Sequence, residues 1–124
     1  MNLRTGWIAS FAAVTALALP VQARLVVGYA ETACTQWNDI RTSSAVVDVV
    51  REDGMVQWVS GYLTAVNAMR IGGRQRPYAL PSYSAIKKMV HARCNAAPAR
   101  TFQQVADSLH LELREADLLS GSGE

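Results

Sequence analysis

His91 and Cys94 stand three residues apart, the spacing that puts two metal ligands on one face of a helix. A closed site needs two more ligands, and the other His and Cys of the chain are His110 and Cys34. The pair reads better as a solvated histidine beside an oxidised cysteine. Asp107 and His110 repeat the spacing, and an aspartate can orient an imidazole as a general base, but no serine or thiol is marked as their nucleophile. The plainer reading is a polar pair on a helix surface. The carboxylates scatter over helix exteriors and form no acid–base couple. Gly72-Gly73 lacks the lysine and spacing of a phosphate-cradling loop and marks a turn. The expectation is a chain that is not an enzyme and holds no metal or cofactor.

Recognition chemistry is better represented. Arg70, Arg74, Arg76 and Tyr78 fall within a loop read over residues 70–81, punctuated by Gly72-Gly73, Pro77 and Pro81. Arg and Tyr are the side chains most often found at interface hot spots, so these four are the candidate partner-binding residues; the alternative is a plain solvated loop. Trp37, Trp58 and Tyr62 could line a ligand pocket, but their helical spacing favours core packing.

The elements that position these groups are helical. A first helix from near Thr32 sets Cys34, Trp37 and Ile40 along one face. Residues 45–50 are rich in β-branched side chains and could form a short strand, but a short helix is preferred, with Val46, Val49 and Val50 on a different side from Asp48, Arg51, Glu52 and Asp53. Asp53-Gly54 then opens a separate central helix. Val59, Leu63 and Val66 form one stripe of it, and Trp58, Tyr62, Ala65 and Met69 form the adjacent one. That apolar arc is wider than a surface helix needs, which puts the helix at the centre of the bundle. Gly61 costs about 1 kcal/mol there relative to Ala, tolerable if a backbone or large ring approaches closely. Ser82 caps a further helix carrying Ile86, Val90 and Cys94 on one face, with Lys87, Lys88 and His91 turned away. Thr101 and Gln104 fit a capping box for a last helix buried through Phe102, Val105, Ala106, Leu109 and Leu113. The predicted fold is all-α: a compact bundle of four to five helices in a single domain over residues 24–120, with a flexible tail at 121–124.

The first residues bear on where that domain works. Arg4 precedes an uncharged, mostly apolar run from Trp7 to Leu19, Pro20 breaks it, and Val21-Gln22-Ala23 supplies small residues for a signal peptidase. The run is about 13 residues, short of the roughly 20 that a membrane span needs. Residues 1–23 therefore read as a secretory signal peptide cut after Ala23, with a second possible cut after Ala30, and the localisation expected is periplasmic, with no stable membrane insertion after cleavage. The full chain of 124 residues carries a net charge of +2, and loss of Arg4 leaves about +1. So balanced a surface has no electrostatic reason to bind nucleic acid or anionic lipid. In an exported chain the two cysteines, Cys34 and Cys94, are expected to join. The bridge closes a loop of about 60 residues and contributes roughly 2–4 kcal/mol by constraining the unfolded chain.

Cys34-x-x-Trp37, then Trp58-Val59-Ser60-Gly61-Tyr62-Leu63-Thr64-Ala65-Val66-Asn67, then Cys94-Asn95-x-x-Pro98 and a final amphipathic helix form an ordered set. The set resembles the small periplasmic proteins grouped with the type VI secretion amidase-immunity (Tai/Rap-like) family, over roughly residues 32–115. The resemblance implies a helical, exported, disulfide-bonded immunity protein, often a homodimer, that plugs the active site of a peptidoglycan amidase toxin. A weaker likeness, in size, export and disulfide alone, is to the HdeA-type acid-stress chaperones, which expose apolar surface when acid breaks the native state. The expectation is thus a binding protein for a periplasmic partner, with an acid-stress chaperone as the alternative.

Overall fold

Local capping signals set where the helices start. The Ser82 hydroxyl accepts from the Ala85 N–H at 3.3 Å, and the capping box closes in both directions: the Gln104 N–H donates to Thr101 Oγ1 at 3.3 Å and the Thr101 N–H donates to Gln104 Oε1 at 3.0 Å. The computed structural model describes residues 28–121. The leader read over residues 1–23, its cut after Ala23 and residues 122–124 lie outside the described residues. A short 3-10 helix, Gly28–Glu31, precedes α1 (Cys34–Ile40), α2 (Val46–Gly72), α3 (Tyr83–Ala96) and α4 (Phe102–Gly121). The fold is all-α, and Cys34 is joined to Cys94 with their Cα atoms 4.9 Å apart. Helix α4 continues to Gly121, the first residue of the segment read as a tail. Among the described residues no helix is long and apolar enough to cross a membrane.

No side chain caps α1. Its first N–H groups, which have no partner within a helix, are taken up by the α3–α4 connection. Cys34 N–H donates to the Arg100 carbonyl at 2.8 Å, Thr35 N–H donates to the Pro98 carbonyl at 3.1 Å, and Phe102 N–H returns a bond to the Thr32 carbonyl at 2.9 Å. This backbone clasp lies beside the disulfide, so α1 is held covalently on α3 and by hydrogen bonds on the connection that follows it.

Helix α2 runs unbroken over 27 residues, where the sequence suggests a break at Asp53-Gly54. Gly54 is a packing glycine and not a terminus: a Cβ there would stand 3.1 Å from the Tyr29 hydroxyl. The close approach expected at Gly61 is therefore found seven residues earlier, and Gly61 has open space around it. The second apolar stripe of α2 is also less buried than its width suggests. Trp58 and Tyr62 are half-buried against the edge of the core, and Met69 is 70% exposed.

The core is built from Trp37, Met55, Val56, Val59, Leu63, Ile86, Val90, Phe102, Val105 and Leu109 around the disulfide, with Val66 buried beyond it. Trp37 packs on Phe102 with ring centroids 5.7 Å apart, inside the 4.5–7 Å range of favourable aromatic pairs. Helix α3 packs on α1 and α2, and α4 packs on α2 and the 3-10 helix. Tyr62 pairs with Asp107 and Arg70 with Asp117, so α2 and α4 run in the same direction. Residues 73–82 return along α2 as an extended strap.

Candidate functional site

The strap decides the fate of the four candidate partner-binding residues. Asn67, projecting from α2, reads both backbone groups of Tyr78: its amide donates to the Tyr78 carbonyl at 2.9 Å and its Oδ1 accepts from the Tyr78 N–H at 2.8 Å. Tyr78 is thereby turned inward and is only 6% exposed. Arg70 lies not in a loop but in the last turn of α2. Its guanidinium carbon stands 3.8 Å from the centre of the Tyr78 ring. Its Nη1 donates to the Tyr78 hydroxyl at 2.8 Å, its Nε to the Arg76 carbonyl at 2.8 Å and its Nη2 to Asp117 at 3.4 Å. Arg76 pairs with the other oxygen of the same carboxylate at 2.8 Å. The structure thus brings Arg70, Arg76 and Tyr78 together, but as a lock that ties the strap and α4 to the end of α2. A guanidinium so occupied is not offered to a partner. Arg74 stands apart, exposed, with φ of 59°.

The pairs set three residues apart are likewise separated by their surroundings. Cys94 is buried in the disulfide, while His91 lies against Arg41, whose Nη1 is 2.7 Å from the ring nitrogens. Asp107 accepts from the Tyr62 hydroxyl at 2.6 Å and from Gln103 at 2.8 Å. His110 packs on the Tyr78 ring at 5.8 Å. Burial, and then the Asp107 carboxylate, push the Tyr62 hydroxyl up to about 12. Partial desolvation, and then Asp53, do the same to Tyr83, whose hydroxyl donates to that carboxylate. Both act as neutral donors that tie helices together.

Two of the surfaces presented by the described residues bear on recognition. The first is apolar. Val46, Val47, Val49 and Val50, at the start of α2, are all between 54% and 79% exposed. At about 100° per residue these four centre roughly 150° around the helix from the core positions Met55, Val56, Val59, Leu63 and Val66. Among the described residues no element covers them, since α1 and α3 pack against the core positions of α2. The second is a cleft of about 300 Å³ between α1 and α3, lined by Trp37, Arg41, Tyr83, Ser84, Lys87, Lys88 and His91. It lies one turn along from the valines, since Glu52 of α2 holds Lys87 and Asp53 holds Tyr83. The sequence shows Lys87, Lys88 and His91 sharing a polar face; it gives no sign that Arg41 and Trp37, about 50 residues earlier, stand opposite them.

Comparison with protein-family models, curated proteins and solved structures finds no match to this chain.

Proposed function

We propose that this chain is an exported, non-catalytic binding protein that docks on a periplasmic protein partner, in the manner of an immunity or inhibitor protein. The observation that carries the reading is the exposed valine face of α2. Four β-branched apolar residues side by side on the outside of a small domain form a contiguous apolar patch of the kind that marks interaction sites. The face stands on a rigid base, because the Cys34–Cys94 bridge and the backbone clasp hold α1, α3 and the start of α4 together. A disulfide in so small a chain fits an oxidising compartment. The cleavage that fits the fold is the one after Ala23: Ala30 is buried and Tyr29 packs on Gly54, so a cut after Ala30 would remove part of the packing. The resemblance in the Trp58–Asn67 run points to a peptidoglycan amidase toxin as the partner.

The test is capture of partners from periplasmic extract by the tagged chain, together with inhibition of purified peptidoglycan amidases. The same partner should be lost when Val49→Asp and Val50→Asp are combined, with helical content unchanged. Capture of no partner by the unaltered chain, together with no inhibition, rejects the reading.

The acid-chaperone alternative draws on a different observation. The described ion pairs that tie separate elements all run through carboxylates: Asp117 to Arg70 and Arg76, Glu52 to Lys87, and Glu112 to Arg93. That reading requires the chain to loosen at about pH 2–3, where carboxylates are protonated, and to suppress aggregation of an unrelated client.

A further inference from the structure

The cleft between α1 and α3 holds more positive charge and more donors than its own residues satisfy. Lys87 is neutralised by Glu52, and the Tyr83 hydroxyl is committed to Asp53. Arg41 and Lys88 have no carboxylate within ion-pair distance among the described residues. Arg41 meets His91 through one terminal nitrogen, and a guanidinium has five N–H donors in a planar fork. Trp37, one of the residues lining the cleft, is 0% exposed, and its indole Nε1–H has no hydrogen-bond partner among the described residues. Buried indole N–H groups are ordinarily paired, so this one is a donor awaiting an acceptor. A planar fork and a flexible ammonium around one opening, with a buried neutral N–H on a residue of its lining, form a donor set for a small anion with two oxygens.

We propose that this cleft binds a carboxylate carried on a short apolar stem. The exposed ring of Tyr83 offers the stem an apolar wall, and the volume of about 300 Å³ admits a group the size of an acidic side chain or a small free acid. Glu52 and Asp53 lie just behind Lys87 and Tyr83. Their charge opposes a dianion, which is why a single carboxylate fits better than a phosphate. The chemistry of the cleft is independent of the partner proposed above, and a free acid and an acidic residue of a protein both supply such a carboxylate.

The test uses the full chain purified from the periplasm, labelled with nitrogen-15. Its indole N–H resonances are followed during titration with 3-phenylpropionate, its uncharged amide, and inorganic phosphate at matched ionic strength. The expected result is a saturable downfield movement of the Trp37 resonance with Kd on the order of 1 mM, while the Trp58 resonance stays in place. Arg41→Gln and Lys88→Gln should each weaken binding about ten-fold; both side chains are exposed, so the melting temperature should hold. A second pair of probes, acetyl-Ala-Glu-Ala-amide and its Gln counterpart, separates the sources. Tighter binding of the Glu peptide than of 3-phenylpropionate assigns the carboxylate to a protein, and the reverse order assigns it to a small acid. A Trp37 resonance that does not move, moves equally with the amide, responds more strongly to phosphate, or is indifferent to both substitutions overturns the proposal.

Discussion

Replacing Asn67 with Ala removes a clasp that no other side chain duplicates. Two hydrogen bonds disappear, one to the Tyr78 carbonyl at 2.9 Å and one from its N–H at 2.8 Å. Each such bond contributes about 0.5–1.5 kcal/mol net, and groups left unpaired in a half-buried setting lose more. The strap would then be held by Arg70, Asp117, the Gln75 N–H bond to the Arg70 carbonyl and the packing of Tyr78 on His110, so the expected loss is about 2–3 kcal/mol. For a domain of this size that is a fall in Tm of roughly 10–20 °C. The disulfide cannot compensate, because it joins α1 to α3 and not the strap to α2. Asn67→Asp is the informative partner. It keeps the acceptor for the Tyr78 N–H but sets a negative oxygen against the Tyr78 carbonyl, so it should cost at least as much as half of the Ala effect. Urea unfolding followed by far-UV circular dichroism measures both, with hydrogen exchange at the Tyr78 amide as the local readout. If Asn67→Ala costs under about 0.5 kcal/mol and leaves that amide as protected as before, the strap is not pinned at Asn67 and its account as a lock fails.

Replacing Cys34 and Cys94 together with Ala should lower stability by roughly 2–4 kcal/mol, measured by the same unfolding curves in the absence of reductant; an unchanged midpoint would show that the loop closure contributes nothing. Arg74→Gly should raise stability by about 0.5–1 kcal/mol, because Arg74 closes the end of α2 at a φ of 59°, where a Cβ is disfavoured and glycine is not; differential scanning calorimetry would register the gain. The hydroxyls of Tyr62 and Tyr83 are both pushed up to about 12 from an ordinary value of 10.0. A raised value means that the folded state favours the neutral form, so this contribution is fully present below pH 10 and is lost as pH rises from about 10 to about 12. Tyrosinate absorbance should show these two titrating late, and Tyr62→Phe with Tyr83→Phe should remove the late component; a late component that survives both substitutions refutes the assignment.

Most features legible before folding have a cause that lies within a turn or two of chain. The Ser82 cap and the Thr101–Gln104 box are contacts across three residues. The stripes of Ile86, Val90 and Cys94, and of Phe102, Val105, Ala106 and Leu109, follow from helical period alone, and both are buried. The Cys34–Cys94 pairing followed from a count of two. The sequence was misleading where a local signal had a distant cause. Gly54 looked like a helix boundary until the Tyr29 ring was found against it, and Gly61 looked crowded although nothing approaches it. Tertiary structure alone decided which charged groups are spent and which are presented. Arg70, Arg76 and Tyr78 carry the composition of a hot spot, but Asn67 turns Tyr78 inward and Asp117 takes up both arginines. Arg41 carried no such mark and Trp37 read better as core than as pocket lining, but α1 sets them across from Lys88 and His91. The valines of α2 share an apolar side and stand exposed, because periodicity tells which residues share a face and not whether another helix covers it.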